Sequence, residues 1–587
     1  MSDSHVPVPQ MTRDALDAYL STVQYKPPHI VFDEEKYQRD IEAGLITRSR
    51  SVNNSPYFPS ELKAAHGAST LNIPPNTGKK RVVIATTIAY NWPAAYIVTC
   101  FDAFCKTYDL WQLDPSGNPI LVGGNKIRPT IEVINLAPYP GGGHGNPPLS
   151  TTPNVNQPVI DIINNTIIGS GFLLNGPITD RSGLLSIPQF VEPTGTEAEV
   201  SNKIAWLSEL ILNFWAIAMN PNAHFRVVNG ASPMGNDIEN AVVYASTDSN
   251  FASNPYGTTD YINMSWGDSN PGLDRPLNDD LHIFLNPRIC YFAAAGNTRW
   301  AGYPATSSNV MCVGGVGLFY NTLAAISGTT NPVVQVWSDG DPTMPNGYGG
   351  GGTGFSHGDP SLGSFTGNYP RPAHQPTTLD GVANFNNGIR VCPDICSVAD
   401  PVTGLLIIFP NSAGTLIKKI VSGGTSLASP LMCGLFSHLS QRRINEELPP
   451  FTTRINNTSN NLQKLLYDNF KQNGTFTQSS PLFYDIRSGS TVLPTITELG
   501  PNNNGRTFSA GPGYDITTGL GFANMQNIQT AIFRTSQPIA TPPIDSGSGS
   551  NNGNTGGGGG TFQIVGTPSV AQRPQGNTRN QVRIIIN

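Results

Sequence analysis

Gly423-Gly424-Thr425-Ser426-Leu427-Ala428-Ser429-Pro430 runs from a glycine pair directly into the apolar stretch LMCGLF (431–436). Glycines break regular structure and the apolar run resumes it, so the pattern predicts a loop entering a helix at Ser426. The first backbone N–H groups of a helix have no intrahelical acceptor and sit at the positive end of its dipole. A hydroxyl placed there stands beside donors able to stabilise a developing oxyanion. The plain alternative for the same serine is an N-cap, a common duty of that residue at a helix start.

Outward from this segment, short β-branched runs alternate with mixed ones. RVVIATTI (81–88), TIEVINL (130–136), HFRVVN (224–229), YINMSW (261–266), ICYFAAA (289–295) and NVMCVGGV (309–316) read as buried strands. Helical patterns fall at Pro93–Tyr108, Asn202–Met219, Asn236–Ala245 and Leu277–Leu285, with shorter ones at Arg13–Tyr25 and Glu34–Ala43. Near-continuous apolar strands separated by helices predict an α/β fold with a parallel sheet covered on both faces. Such sheets carry their sites at the carboxyl ends of the strands.

Bulk properties exclude several functions. Charged residues make up 13% of the 587-residue chain, against a typical quarter, while Gly (61) and Pro (50) are abundant. A net charge of -6 supplies no basic field for nucleic acid. No apolar run approaches the roughly 18 residues that span a bilayer. The N-terminal stretch MSDSHVPVPQMTRDAL lacks an apolar signal core, so an intracellular or particle-associated location is expected. Seven cysteines without paired metal spacing read as buried small hydrophobes in a reducing compartment.

With strands and helices in order, a series of segments resembles the sedolisins, the serine-carboxyl peptidases related to subtilisin. YFPSELKAAHG (57–67), VVIATTIAYNWPAAYIVTCFDAFCKTYDL (82–110), INMSWG (262–267), FAAAGN (292–297), YPATSSNVMCVGG (303–315), VCPDICSVADPVTG (391–404), GGTSLASP (423–430), FYDIRSGS (483–490) and AGPGYDITTGLG (510–521) carry the resemblance. It spans residues 55–535. It implies a subtilisin-like parallel sheet, Ser426 as nucleophile, a glutamate base, one bound calcium ion and a peptide or protein substrate. Subtilisin's own triad needs a histidine; His144 and His357 lie in Gly/Pro-rich stretches with no apolar helix following, and read as loop residues.

The family's base lies in an E-x-x-L-D pattern on a helix. Glu209-Leu210-Ile211-Leu212-Asn213 follows it, with Asn213 in the place of the Asp. One residue is missing before the next matching turn, at Trp215. If that gap lies elsewhere, Ser208 and Leu212 take the two places and no base remains. A second departure is Asn297, where sedolisins hold a protonated Asp that donates to the oxyanion and subtilisins hold Asn. An amide donates at every pH, so the two replacements imply an acyl-enzyme peptidase, endopeptidase or tripeptidyl-peptidase-like, released from acid dependence. An Asn213 amide donating to Glu209 would favour the charged carboxylate, a weak base for a hydroxyl. The rival expectation is a catalytically degenerate scaffold with a structural or binding role, for example in a particle.

The resemblance also implies calcium ligands at Asp485, Ile486, Gly511, Gly513 and Asp515, two carboxylates plus carbonyls that glycines can turn inward. The glycine stretch Gly349–Gly354 lacks a phosphate loop's lysine and helix, and reads as a substrate-side or flexible loop. Residues 1–54 form an N-terminal extension, too short for the family's inhibitory prosegment, which favours a non-standard role. Residues 536–560 form a Gly/Ser/Asn-rich linker and 561–587 a tail ending in VRIII, expected to dock on a protein partner, dock on the body or stay disordered.

Overall fold

The computed structural model describes residues 57–69, 80–140, 145–150, 195–268, 286–319, 333–338, 349–358, 369–379, 388–410, 417–453, 460–472, 474–495 and 499–533, with short pieces at 24–26, 30–31, 71, 273–274, 283–284 and 385. In chain order the elements used below are β1 (Tyr25–Lys26), β2 (Ile30–Val31), α1 (Pro59–Ala65), β3 (Val83–Ala89), α2 (Ala94–Thr107), β4 (Thr130–Asn135), α3 (Glu197–Asn213), α4 (Trp215–Met219), β5 (His224–Gly230) and α5 (Gly235–Ser246). They continue with β6 (Tyr261–Met264), β7 (Gly267–Asp268), β8 (Cys290–Ala294), β9 (Met311–Phe319), β10 (Val333–Val336), β11 (Gly350–Phe355), β12 (Ile395–Val398), β13 (Ile417–Gly423), α6 (Thr425–Asn445), β14 (Phe483–Tyr484) and β15 (Phe522–Ala523).

The main sheet has the order β14-β15-β12-β9-β8-β6-β3-β5-β4, with β10 added antiparallel to β9. Every pairing from β15 to β4 is parallel; β14, like β10, runs against its neighbour. All seven residues of β3 and of β5 are buried, as a sheet covered on both faces requires. All six strand segments read from the sequence are here. α6 packs against β6, β8, β9 and β12 and buries Leu427, Leu431, Leu435, Phe436 and Leu439.

Three expectations need correction. The helix read as Asn202–Met219 begins at Glu197, because Thr196 and Glu199 form a reciprocal capping box. It also breaks at Phe214, and α4 restarts at Trp215. The stretch Gly349–Gly354 is no flexible loop: Gly350–Phe355 is a fully buried strand paired with Thr298–Trp300 and Val391–Cys392. Its glycines permit close approach, since a Cβ on Gly352 would lie 2.2 Å from the Ala295 carbonyl oxygen. Tyr25, read as the end of a helix, lies in strand β1. The rest of Arg13–Tyr25, all of Glu34–Ala43, most of Leu277–Leu285, His144, the linker and the tail lie outside the described residues.

Every cysteine is free and buried, as read. Among the described residues no helix is long and apolar enough to cross a membrane. Just before β12, Arg390 and Asp394 form a fully buried two-pronged ion pair, both arms 2.7 Å. Burial pushes the Asp394 carboxyl up, but the charge and hydrogen bonds of Arg390, together with donors from Cys312 N and Gln463, hold the group below the ordinary aspartate range. Cys312 N (2.9 Å), Gln463 Nε2 (3.0 Å) and the Tyr467 hydroxyl (2.9 Å) also donate to Asp394.

Candidate active site

Ser426 is the second residue of α6, entered through Gly424 at φ 106°, a backbone conformation glycine adopts without steric cost. Its side chain is fully buried, and its Oγ makes no hydrogen bond to a protein atom among the described residues. Pro430, four residues on, has no N–H, so the Ser426 carbonyl cannot receive its usual intrahelical bond. Ser265 Oγ takes that place at 3.0 Å. Its one proton is shared with a second acceptor, Asn213 Oδ1, at 3.2 Å.

Asn213 organises this buried network from the end of α3. Its Oδ1 also faces donors from Thr86 Oγ1 at 3.0 Å and from Asn263 Nδ2. With donors on that side, the amide nitrogen is fixed on the other. It donates to the Glu209 carbonyl (2.6 Å) and to Glu209 Oε1 (3.2 Å). Glu209 and Asn213 are both fully buried, one turn apart on one helix face. Asn263 in turn accepts from Ser429 Oγ at 2.6 Å, closing the network onto α6.

The two residues of the other reading make no side-chain bond to this network among the described residues. Leu212 is a core residue, and Ser208 donates to the Ile204 carbonyl of its own helix. Among the described residues no hydrogen bond joins Glu209 to Ser426 Oγ; Asn213 and Ser265 connect the glutamate to the Ser426 carbonyl. Thr86, Asn263 and Ser265 escaped the sequence reading. Their signal was polar side chains inside otherwise apolar strand segments, which burial without a purpose would penalise.

Asn297 lies on the opposite side of the nucleophile turn. Its Oδ1 accepts from Thr425 N (2.8 Å) and Thr425 Oγ1 (3.0 Å), while Thr425 Oγ1 accepts from Gly296 N (2.9 Å). A backbone N–H can only donate, so the amide's orientation is determined and its Nδ2 faces away from Thr425. Nδ2 is buried and donates to no protein atom among the described residues. Among the described residues, no carbonyl outside α6 is paired with the Ser426 N–H, which lies in the helix's first turn. The site therefore gathers a buried hydroxyl, an uncommitted amide donor, a helix N-terminus and a buried carboxylate.

A sequence profile of the subtilase family matches residues 190–481. Over 241 residues the chain is 28% identical to sedolisin of Pseudomonas sp. (strain 101), covering 40% of this chain and 31% of that protein. The chain is a sedolisin-like protein of the subtilisin fold. It is also 28% identical over 225 residues to kumamolisin of Bacillus sp. (strain MN-32), covering 37% of this chain and 30% of that protein. The matches thus span about a third of the length of these relatives. Among solved structures, Pseudomonas sedolisin complexed with two molecules of pseudo-iodotyrostatin aligns with a TM-score of 0.47 and 16% identity, over 81% of this chain and 96% of that one.

The residues where a sedolisin-like chain would hold calcium fit a cation. Asp485 Oδ1 accepts from Gly513 N at 3.1 Å, which ties the two segments together. Asp515 is buried, and burial pushes its carboxyl up to about 7 despite N–H donors from Gly511 and Thr518. The carbonyls of Ile486, Gly511 and Gly513 accept no hydrogen bond among the described residues. Two carboxylates with uncommitted carbonyls are a donor set calcium takes. Arg487 Nε and Ser479 Oγ, each 2.6 Å from Asp485 Oδ2, compete for one of those carboxylates. No cluster of three or more His, Cys, Asp or Glu side chains gathers among the described residues, so carbonyls would have to complete the set.

Proposed function

We propose that this protein is a serine-type peptidase acting through an acyl-enzyme on Ser426, with Glu209 as its base and no requirement for acid pH. The reading is carried by Asn297. Thr425 commits its oxygen and leaves its amide nitrogen for an oxyanion formed next to Ser426. Ser426 Oγ attacks the peptide carbonyl, and the oxyanion is held by Asn297 Nδ2 and the Ser426 N–H. Glu209 accepts the hydroxyl proton through one bridging water and returns it to the leaving amine; a second water then releases the acyl group. Asn213 is a positioning residue, since it donates to Glu209 in any protonation state.

Calcium, when bound, would be held by Asp485, Asp515 and the carbonyls of Ile486, Gly511 and Gly513, and would stabilise the fold without joining the chemistry. The test is cleavage of a peptide library from pH 3 to 8, with Ser426→Ala as control. The expected result is turnover lost in Ser426→Ala and retained at neutral pH in the parent. No Ser426-dependent product at any pH would leave only a degenerate scaffold with a structural or binding role.

A further inference from the structure

The carboxyl ends of β3, β4 and β5 hold a second knot of buried amides. Asn135 ends β4 and lies opposite Asn229 on β5. The Trp92 N–H, just past β3, can only donate, so the Asn135 atom 3.1 Å from it is Oδ1; Asn135 Nδ2 donates to the Trp92 carbonyl at 3.0 Å. The same Oδ1 faces the Asn229 amide at 2.8 Å, which must therefore present its Nδ2. Asn91 Nδ2 donates to the Leu136 carbonyl at 3.1 Å, and Leu136 N donates to the Asn229 carbonyl at 3.0 Å. Backbone groups thus fix every amide in the knot. They leave Asn91 Oδ1 and Asn229 Oδ1 turned away from it.

Both oxygens are buried and accept no hydrogen bond among the described residues. Two buried indole N–H groups share that condition, Trp92 Nε1 and Trp206 Nε1 on α3. Asn229 lies four residues after Phe225 and so on the same face of the sheet; Phe225 packs on Phe101 of α2 and on Phe214 at the end of α3. Trp92 stands just before α2. Trp206 is one turn along α3 from Asn202, whose Nδ2 donates to the Tyr90 hydroxyl at 2.9 Å, two residues before Trp92. The four residues therefore meet at one corner, where the ends of β3 and β5 face α2 and α3. In parallel sheets this is the end at which ligands bind.

The corner offers two acceptors and two donors, none of them charged. A carboxylate, phosphate or ammonium would enter it without a counter-charge, which is strongly unfavourable. A primary carboxamide is the complement: its nitrogen carries two N–H donors and its oxygen two lone pairs. The indole rings add apolar surface for the carbons that carry it. We propose that this corner is a binding site for a primary carboxamide, in which Asn91 and Asn229 accept from the amide nitrogen and Trp92 and Trp206 donate to the amide oxygen. The group belongs to a glutamine side chain of a peptide or to a small free amide. Binding here makes no use of Ser426 and does not depend on the peptidase reading.

The probes are N-acetyl-glutamine N-methylamide, free L-glutamine and N-acetyl-glutamate N-methylamide, titrated into the full-length chain carrying isotope-labelled tryptophan. With seven tryptophans, the indole N–H spectrum can be assigned at the two positions through Trp92→Phe and Trp206→Phe. Ligands this small should saturate in the millimolar range. The Trp92 and Trp206 signals should move with a glutamine probe and stay in place with the glutamate one, which should bind about a hundredfold weaker or less. Asn229→Leu should weaken glutamine binding about tenfold. If that variant fails to fold, because Asn135 loses a partner, Trp206→Phe serves, with a loss of about tenfold for the missing donor. Tighter binding of the capped glutamine assigns the site to a peptide side chain, and of free glutamine to a small molecule. No saturable shift at either indole, or an equal response to the glutamine and glutamate probes, overturns the proposal and leaves water as the partner of these four atoms.

Discussion

Asn297→Asp isolates the feature on which the proposed chemistry depends. The variant keeps an oxygen to accept from Thr425 N and Oγ1, at 2.8 and 3.0 Å in the parent, so the turn before Ser426 should hold its shape. What changes is the atom facing away from Thr425, where an amide that always donates becomes a carboxyl oxygen that donates only when protonated. Losing one oxyanion donor costs about 10²–10³ in turnover, or about 3–4 kcal/mol. With an ordinary aspartate pKa of about 3.9, turnover should fall about tenfold per pH unit above pH 4 and level off after about two to three decades. The parent should show no such limb. The assay is kcat/KM for a fluorogenic peptide across pH 3 to 8, paired with the rate at which a fluorophosphonate labels Ser426. Parallel profiles for parent and variant would refute the donor role of Asn297.

Removing Arg390 by Arg390→Leu should cost about 3–5 kcal/mol by urea unfolding, because Asp394 would be left as an uncompensated buried charge; a loss under about 1 kcal/mol would contradict that account. His66 is buried between Ser397 Oγ and the Ala523 carbonyl, 2.9 Å from each, and burial lowers its pKa to about 4, with the Ala523 bond opposing. Between about 6.5 and 4 the unfolded chain takes up a proton that the folded chain refuses, so stability falls as pH drops. His66→Gln should therefore lose about 2–3 kcal/mol less than the parent between pH 7.5 and pH 4.5; urea midpoints at both pH values check it. Calcium at about one hundred times its dissociation constant should stabilise the fold by about 2.7 kcal/mol. Chelator should lower the melting temperature of the parent and leave Asp485→Ala/Asp515→Ala unmoved.

The sheet was legible because its strands are buried on both faces and so read as unbroken apolar runs. Ser426 was legible because a glycine pair before an apolar helix leaves few other structures. The register of α3 was not, since a missing residue shifts a helical face by about 100° and the break at Phe214 carries no signal in the letters. The capping box at Thr196 and Glu199 was present in the letters and passed over. β1, β2 and β11 were hidden for a different reason. Two-residue strands have no period to detect, and a glycine run gives no side-chain pattern although tertiary contact makes it a strand. Thr86, Asn263 and Ser265 gain their meaning from atoms fifty or more positions away in the chain.

Pro430 has a consequence for the order in which the molecule comes together. Ser265 and Ser426 stand 161 positions apart, and their contact replaces a bond the helix cannot make for itself. The opening turn of α6 is thus anchored only after the middle of the sheet has been laid down, a remote closure of the slow kind. Nascent and half-assembled chains would carry the serine without the posture that arms it. The proline thus makes the shape of the turn at Ser426 depend on a strand far away in the chain.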